Sequence, residues 1–462
     1  MIEADYLVVG AGAMGMAFAD VVLTETDATV AIVDRYGSPG GHWTRAYPYV
    51  RLHQPSAFYG VNSRPLGSDA KDATGWNAGL FELASGAEVL SYFDQVMNQQ
   101  FLPSGRVQYF PMCEYGEGGS IISLVSGETQ EVAAKKVVDS TYMHVTVPST
   151  RPPEYEVADG LRCVPPNALT TIDHSPAGYV VVGAGKTGMD ACLWLLATGV
   201  DPDDITWIMP RDSWLLDRAT IQPGPEFFDS TVGGFAKQME ACALATSIDD
   251  LFDRLEASGQ LLRLNDTVRP SMYRCATVTV TELEQLRRID GIVRLGRVQS
   301  ISAQEIVLDS GSIPTSPDAL YVDCTADGLE RRPVVQVFYS DRITLQSVRT
   351  CQPAFSAAFI GHVEARYSND AEKNDFCTVV PHPDSDVDWL RTTLANTLNM
   401  ARWRSDPGLG PWLAGARLDA FSSNDSDGEP DPARLEVLGR IVKHIPGAIT
   451  NLQRLLADVA DD

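Results

Sequence analysis

The feature that most constrains this chain is a pattern it carries twice: an apolar strand that runs into closely spaced glycines and then into a helix. The first copy, Asp5-Tyr-Leu-Val-Val-Gly10-Ala-Gly12-Ala-Met-Gly15, is followed by a helical run and a second strand, Val30 to Val33, that ends on Asp34. Glycines at positions 10, 12 and 15 turn the chain tightly, and the unbonded N–H groups and positive dipole end of the helix then face an anion. Asp34 stands 34 − 15 = 19 residues beyond the last glycine, where a carboxylate accepts hydrogen bonds from a ribose. These residues, with Arg35 beside the acid, place an adenine dinucleotide near the N-terminus.

The second copy is Tyr179-Val-Val-Val-Gly183-Ala-Gly185-Lys186-Thr187-Gly188-Met-Asp190, followed by a helix through Leu196 and a strand, Ile205 to Met209. That strand ends on Pro210-Arg211, a cation in place of the acid. An arginine there suits the 2′-phosphate of NADP, which a carboxylate repels; read blandly, Arg211 is a solvated loop residue.

At 462 residues the chain exceeds the size at which single cores stop growing, so more than one domain is expected. A formal net charge of −25 argues against nucleic acid and against anionic membrane surfaces, both of which need a cationic face. No run of about 18 apolar residues offers a membrane span, and no cleavable leader is visible, so a cytoplasmic protein is expected. The eight cysteines are scattered without a C-x-x-C pair or a neighbouring histidine cluster. They read as buried small hydrophobes, which removes a redox disulfide and a metal site from the expectations.

Between the copies, residues 36–67 form a long Gly-, Pro- and aromatic-rich loop, of a length that is more often functional than idle. Glu82 to Gln100 has helical spacing, residues 106–138 alternate as short strands, and Lys136 to Asp139 is a buried strand. The proline cluster in 147–177 reads as a domain crossing. Leu320 to Asp323 repeats the small-residue strand, Pro353 to Arg366 reads as a helix, Ser422 to Asp431 as an acidic linker, and Ala433 to Val459 as a helix interrupted at Pro446-Gly447.

This order of parts resembles the flavin-containing monooxygenase superfamily, with its Baeyer-Villiger and N-hydroxylating relatives. Gly40-Gly41-His-Trp43, then Tyr47-Pro48 and Arg51, is similar to that family's Gly-Gly-x-Trp and Tyr-Pro-x-x-Arg segment, and the second fingerprint is similar to its NADPH-binding motif. The resemblance implies an α/β fold of two Rossmann-like dinucleotide-binding domains, an FAD domain with an inserted NADPH domain. Expected boundaries are 1–147 for the first part of the FAD domain, 148–316 for the NADPH domain, 317–421 for the second part of the FAD domain with substrate elements, and 422–462 for a linker and C-terminal helix.

The implied cofactors are FAD, held by Gly10, Gly12, Gly15, Asp34, Arg35, Gly41, Trp43 and Arg51, and NADPH, held by Gly183, Gly185, Lys186, Thr187, Gly188 and Arg211. Where the Baeyer-Villiger branch places an acid this chain has His53, which speaks against ketone oxygenation. Gln54 and Asn62 resemble the flavin-lining Gln and the oxygen-side Asn of the other branches, so Asn62, His53 and Gln54 are the catalytic candidates. Each has a plainer reading: Trp43 as packing, His53 as a bonded loop histidine, Asn62 as a turn cap. The implied activity is oxygenation of a heteroatom or carbon of a small metabolite through a flavin C4a-hydroperoxide, with molecular oxygen as co-substrate and a homo-oligomer left open. The alternatives are a flavin oxidoreductase without oxygen insertion and a non-catalytic nucleotide-binding protein. Substrate recognition is expected in residues 212–280 and 340–420.

Overall fold

The computed structural model describes residues 1–116, 119–326, 328–420 and 432–460. Val30–Asp34 is buried at every position, as a strand must be when helices cover both faces of its sheet. It pairs in parallel with Ile2–Val9, which pairs on its other edge with Thr129–Asp139. Val107–Pro111 and Arg342–Thr344 complete the parallel part, and the hairpin Cys113–Gly116 with Ser120–Ser123 extends it antiparallel. Ala13–Glu25 lies against the sheet and under Pro353–Arg366. The two helices cross closely at Gly361, where a Cβ would come within 3.1 Å of the Phe18 carbonyl.

Tyr179–Val182 is the centre of a second parallel sheet, flanked by Ile205–Ile208 and Ile292–Val293 on one side and by Leu320–Asp323 and Arg162–Val164 on the other. Two doubly covered parallel sheets, each entered through a glycine turn, give the expected α/β architecture of two Rossmann-like domains. Leu320–Asp323 belongs to the second sheet, so the chain returns to the first domain after this strand and not at residue 317.

Two further expectations change. Pro432–Ala460 is one continuous helix with Pro446 inside it. Pro446 and Val442, whose carbonyl loses its partner four residues on, are both exposed, so the break in the bonding ladder falls on the solvent side and not in the core. Ala448, Leu452 and Leu455 meanwhile bury the opposite face, and Asn451 Nδ2 donates to the Cys242 and Ala245 carbonyls at 2.8 Å each, which holds the helix to Phe228–Leu244. The cysteines are not all unpaired either: Cys275 and Cys351 form a disulfide across 76 residues, a separation that no local spacing rule detects. The acidic stretch expected at 422–431 lies outside the described residues. No helix among the described residues is long and apolar enough to cross a membrane.

Candidate active site

The two glycine fingerprints divide their glycines by purpose. Gly10 has φ +102° and Gly183 φ +127°, and a Cβ on them would meet Ser140 Oγ at 2.7 Å and the Cys324 carbonyl at 2.7 Å. A Cβ on Gly15 would come within 2.1 Å of the Gly10 carbonyl, and one on Gly188 within 2.1 Å of the Gly183 carbonyl. These four are demanded by the chain's own packing. Gly12 and Gly185 differ: their φ values of −82° and −76° suit any residue. A Cβ would meet only Gly41 Cα at an ordinary 3.6 Å in the first case and nothing within 4 Å in the second.

Gly12 and Gly185 are the N-caps of Ala13–Glu25 and Lys186–Ala197, and neither helix has a side-chain cap or an acid in its first turn. Among the described residues the N–H groups of Ala13, Met14 and Gly15, and of Lys186, Thr187 and Gly188, have no acceptor. Both helix starts therefore offer bare donors to an anion.

Around the first turn, Asp34 is buried and accepts from Ala11 N at 2.6 Å and Tyr36 N at 2.7 Å; burial raises its carboxyl pKa while these bonds pull it back. Gly40 N donates to the Ala11 carbonyl at 2.9 Å, so the Gly40-Gly41 loop folds back onto the fingerprint. Trp43 is buried, with Nε1 donating to Tyr59 Oη at 2.7 Å. The two cationic candidates are turned elsewhere. Arg35 is exposed on Glu114 at 2.9 Å, and Arg51 donates to the Leu83 carbonyl at 2.9 Å.

Arg211 grips Asp384 through both terminal nitrogens at 3.0 and 3.1 Å, and Arg274 Nε reaches the same carboxylate at 2.6 Å. Burial alone would raise the Asp384 carboxyl, but the two guanidiniums hold it down to about 2. Arg151 and Arg297 join them around a cavity of about 590 Å³ that opens onto Gly183, Ala184 and Gly185. Arg151, Arg274 and Arg297 carry no motif, and only the fold brings them to the fingerprint. Lys186 is paired with Asp190, four residues on, so its charge is partly engaged; Thr187 is half-buried beside it.

Residues 47–63 run from one seat to the other. Tyr47 Oη donates to Asp190 Oδ2 at 2.6 Å, and Tyr49 stacks on Trp194 with ring centroids 5.2 Å apart. From Gly41, packed against Gly12, to Tyr47, which reaches Asp190 through its side chain, is 47 − 41 = 6 residues, so a backbone span of at most about 20 Å links the contact with the first helix start to the contact with the second helix.

Buried Arg218, which no sequence signal marks, clamps the middle of the loop: Nε donates to the His53 carbonyl at 3.0 Å, and the other nitrogens reach Asn77 and Glu282. Arg417 holds the carbonyls of Ala57, Tyr59 and Val61. Burial, reinforced by Lys186 and Arg218, pushes the His53 imidazole pKa well below its usual value, so His53 is neutral. Ser63 is tied to Asp20, with its N–H at 2.9 Å, whereas Asn62 Oδ1 is buried without a partner.

Gln54 faces a second cavity, of about 170 Å³. The rest of its wall comes from residues 216–275 and 349–420, including Tyr273, Trp389 and Asn396, so the structure joins the two motif-free stretches expected to hold a substrate. Thr350 Oγ1 and Gln352 Oε1, both in this wall, are buried without partners. Gln54 and the unpartnered Asn62 carbonyl thus sit on one loop with His53 between the seats, but only Gln54 of the three lines this cavity.

No family model matches the chain. Over 421 residues it is 58% identical to Uncharacterized protein Rv2000 of Mycobacterium tuberculosis and to Uncharacterized protein Mb2023 of Mycobacterium bovis, covering 91% of this chain and 78% of each relative. Among solved structures, a doubly substituted flavin monooxygenase from Stenotrophomonas maltophilia is similar at 15% identity and a TM-score of 0.48, over 82% of this chain and 100% of that one. The open crystal structure of cyclohexanone monooxygenase is similar at 14% identity and a TM-score of 0.48, over 82% of this chain and 93% of that one.

Proposed function

We propose a function from the premise that the chain belongs to the family of Uncharacterized protein Rv2000 of Mycobacterium tuberculosis: it is an FAD-dependent, NADPH-using monooxygenase acting on a small molecule. The observation that carries this reading is the pair Gly12 and Gly185. The fold itself has room for a Cβ at both, and each stands at a helix start with bare N–H donors, which supports a reading in which the space is kept for a ligand's phosphates.

In the first seat the N–H groups of Ala13, Met14 and Gly15 take the pyrophosphate of FAD, and the remaining lone pairs of Asp34 take its ribose. Gly41 permits the close fold-back of the loop, and Trp43 packs beneath it. In the second seat Gly185 and the helix start take the pyrophosphate of NADPH, and Arg211, with Arg274, Arg151 and Arg297, takes the 2′-phosphate. Bound FAD supplies two-electron exchange with a nicotinamide and, once reduced, reaction with molecular oxygen.

The chain's own residues do the rest. Tyr47 and Tyr49 dock the loop on the NADPH helix, which keeps the two seats at working distance. The buried Asn62 carbonyl offers an acceptor to a ring N–H that no protein donor claims. His53, kept neutral, adds no competing positive charge to the loop, and Gln54 presents an amide to the substrate cavity. Leu216, Leu255, Leu261 and Trp389 keep part of that cavity apolar, which limits water around the reacting groups.

Gly12→Val tests the reading. The variant is expected to keep the thermal stability and circular dichroism of the wild type, yet to stay colourless after reconstitution with FAD. A stable Gly12→Val protein that binds FAD like the wild type would refute the first seat. Oxygen uptake matched to NADPH consumption, with peroxide as a minor product in the presence of small amines or thioethers, is the expected sign of oxygenation.

A further inference from the structure

We infer that Cys275 and Cys351 are a redox-active pair, a two-electron centre in the wall of the cavity that Gln54 faces; the inference rests on the FAD and NADPH seats proposed above. Cys275 lies in the strand Met272–Val278 of the second domain, and Cys351 lies just before the helix Pro353–Arg366 of the first. The bond therefore ties the two domains together at the cavity that both of them line.

Three observations separate this pair from a plain staple. First, both cysteines have left-handed backbones, φ +56° and +55°, and they account for two of the five non-glycine residues with positive φ among the described residues. That conformation costs free energy at each, and such strain persists where the surroundings impose it, most often at functional sites.

Second, Cys275 sits at an irregularity of its strand. Trp214 pairs with Tyr273 and Leu216 with Thr277, so two steps on one strand oppose four on the other, and Cys275 is the centre of the excess. Such a bulge re-aims a side chain away from the ladder. Third, both sulfur-bearing residues line the same cavity as Gln54, and they are flanked there by Thr350 and Gln352, whose buried side-chain oxygens have no partner. The other buried cysteines are unsuited to such work. Burial raises the thiol pKa of Cys192, Cys242, Cys324 and Cys377, which keeps them protonated.

The step balances with NADPH as the reductant. NADPH delivers two electrons and one proton by way of the flavin seat, and solvent gives a second proton. The S–S bond breaks, each sulfur gains one electron and one proton, and NADP⁺ leaves. The product is a dithiol facing the cavity, with the covalent tie between the domains opened.

The experiment is an anaerobic NADPH titration of the full chain reconstituted with FAD, following flavin absorbance and then counting thiols in denaturant. Wild type is expected to start with six free thiols and end with 6 + 2 = 8, taking up two equivalents of NADPH before excess appears. The Cys275→Ser/Cys351→Ser double variant should take up one equivalent and keep its six thiols. Bleaching of the flavin with the wild-type count still at six would overturn this inference alone, as would eight thiols before any NADPH is added. Bound flavin that NADPH does not bleach would overturn the functional reading and this inference with it. The wild-type count decides the matter even if the double variant does not fold.

Discussion

On the proposed reading of the second seat, Asp384 is the carboxylate that tunes its anion-binding arginines. It draws Arg211 and Arg274 together and neutralises part of their charge, so an incoming phosphate competes with it for both guanidiniums. Arg211→Ala is expected to weaken NADPH binding by on the order of 2 kcal/mol while barely changing NADH, as befits the loss of a charged contact. Asp384→Asn should act in the opposite direction and tighten NADPH, because a charged carboxylate no longer competes with the ligand for Arg211 and Arg274. Dissociation constants for the two nucleotides check both signs, and equal losses for NADH and NADPH in Arg211→Ala would contradict the assignment.

The same carboxyl makes a pH prediction. Its folded pKa of about 2 lies below the roughly 3.9 of an unfolded aspartate, so its stabilisation is present above that value and fades as pH falls toward the folded one. Melting temperatures between about pH 4 and pH 2 should therefore drop more steeply for wild type than for Asp384→Asn. Parallel curves would show that the ion pair adds nothing to folding.

At this scale legibility followed sequence distance. Gly12 and Gly185 could be read because each sits in a strand, a turn and a helix that follow one another within a few residues, and Asp34 because it ends the next strand. Arg151, Arg274 and Arg297 could not, because each comes from a different element and is an ordinary surface cation until the fold gathers them.

Among the elements, the helix Pro432–Ala460 is where local chemistry and tertiary packing disagree. Proline and glycine side by side at 446–447 signal a break, yet the apolar face beyond them is long enough to keep the helix continuous against Phe228–Leu244. Gly447 earns its place through the close approach it permits, since a Cβ there would stand 3.3 Å from Ala243 Cβ. Pro446 has no such role on the exposed face. Pro446→Ala restores a hydrogen bond and should raise stability, by up to about 3 kcal/mol if the helix is not otherwise strained. Thermal or urea unfolding measures it, and a lower midpoint would mean that the proline shapes a needed bend.

The helix Pro353–Arg366, by contrast, was readable, because a proline in its first turn and a run of small and apolar residues from Ala354 to Gly361 leave few other structures open. Strand order was not readable. Leu320–Asp323 looks like a return to the first domain until pairing with Tyr179–Val182 shows that it completes the second sheet.

For the whole molecule, a net charge of −25 and a pocket of four arginines are compatible once they are assigned to different tasks. The acidic surface repels polyanions at long range, while four arginines are concentrated around one cavity beside the second fingerprint, where the proposed NADPH phosphate would sit. The two-domain plan was legible because each domain announces itself with its own fingerprint. The cavity that joins residues 216–275 to 349–420, and the disulfide across it, were not, since pairing across 76 residues leaves no local trace.

The central claim is that the seat at Gly185 delivers electrons to a flavin in the seat at Gly12. Its most direct test is the flavin absorbance of the reconstituted protein on anaerobic addition of NADPH, compared with that of Gly185→Val. The account predicts that the wild type bleaches and that the variant, equally folded and equally yellow, does not at the same NADPH concentration. A wild type that keeps its colour, or a variant that loses it just as fast, would contradict the account.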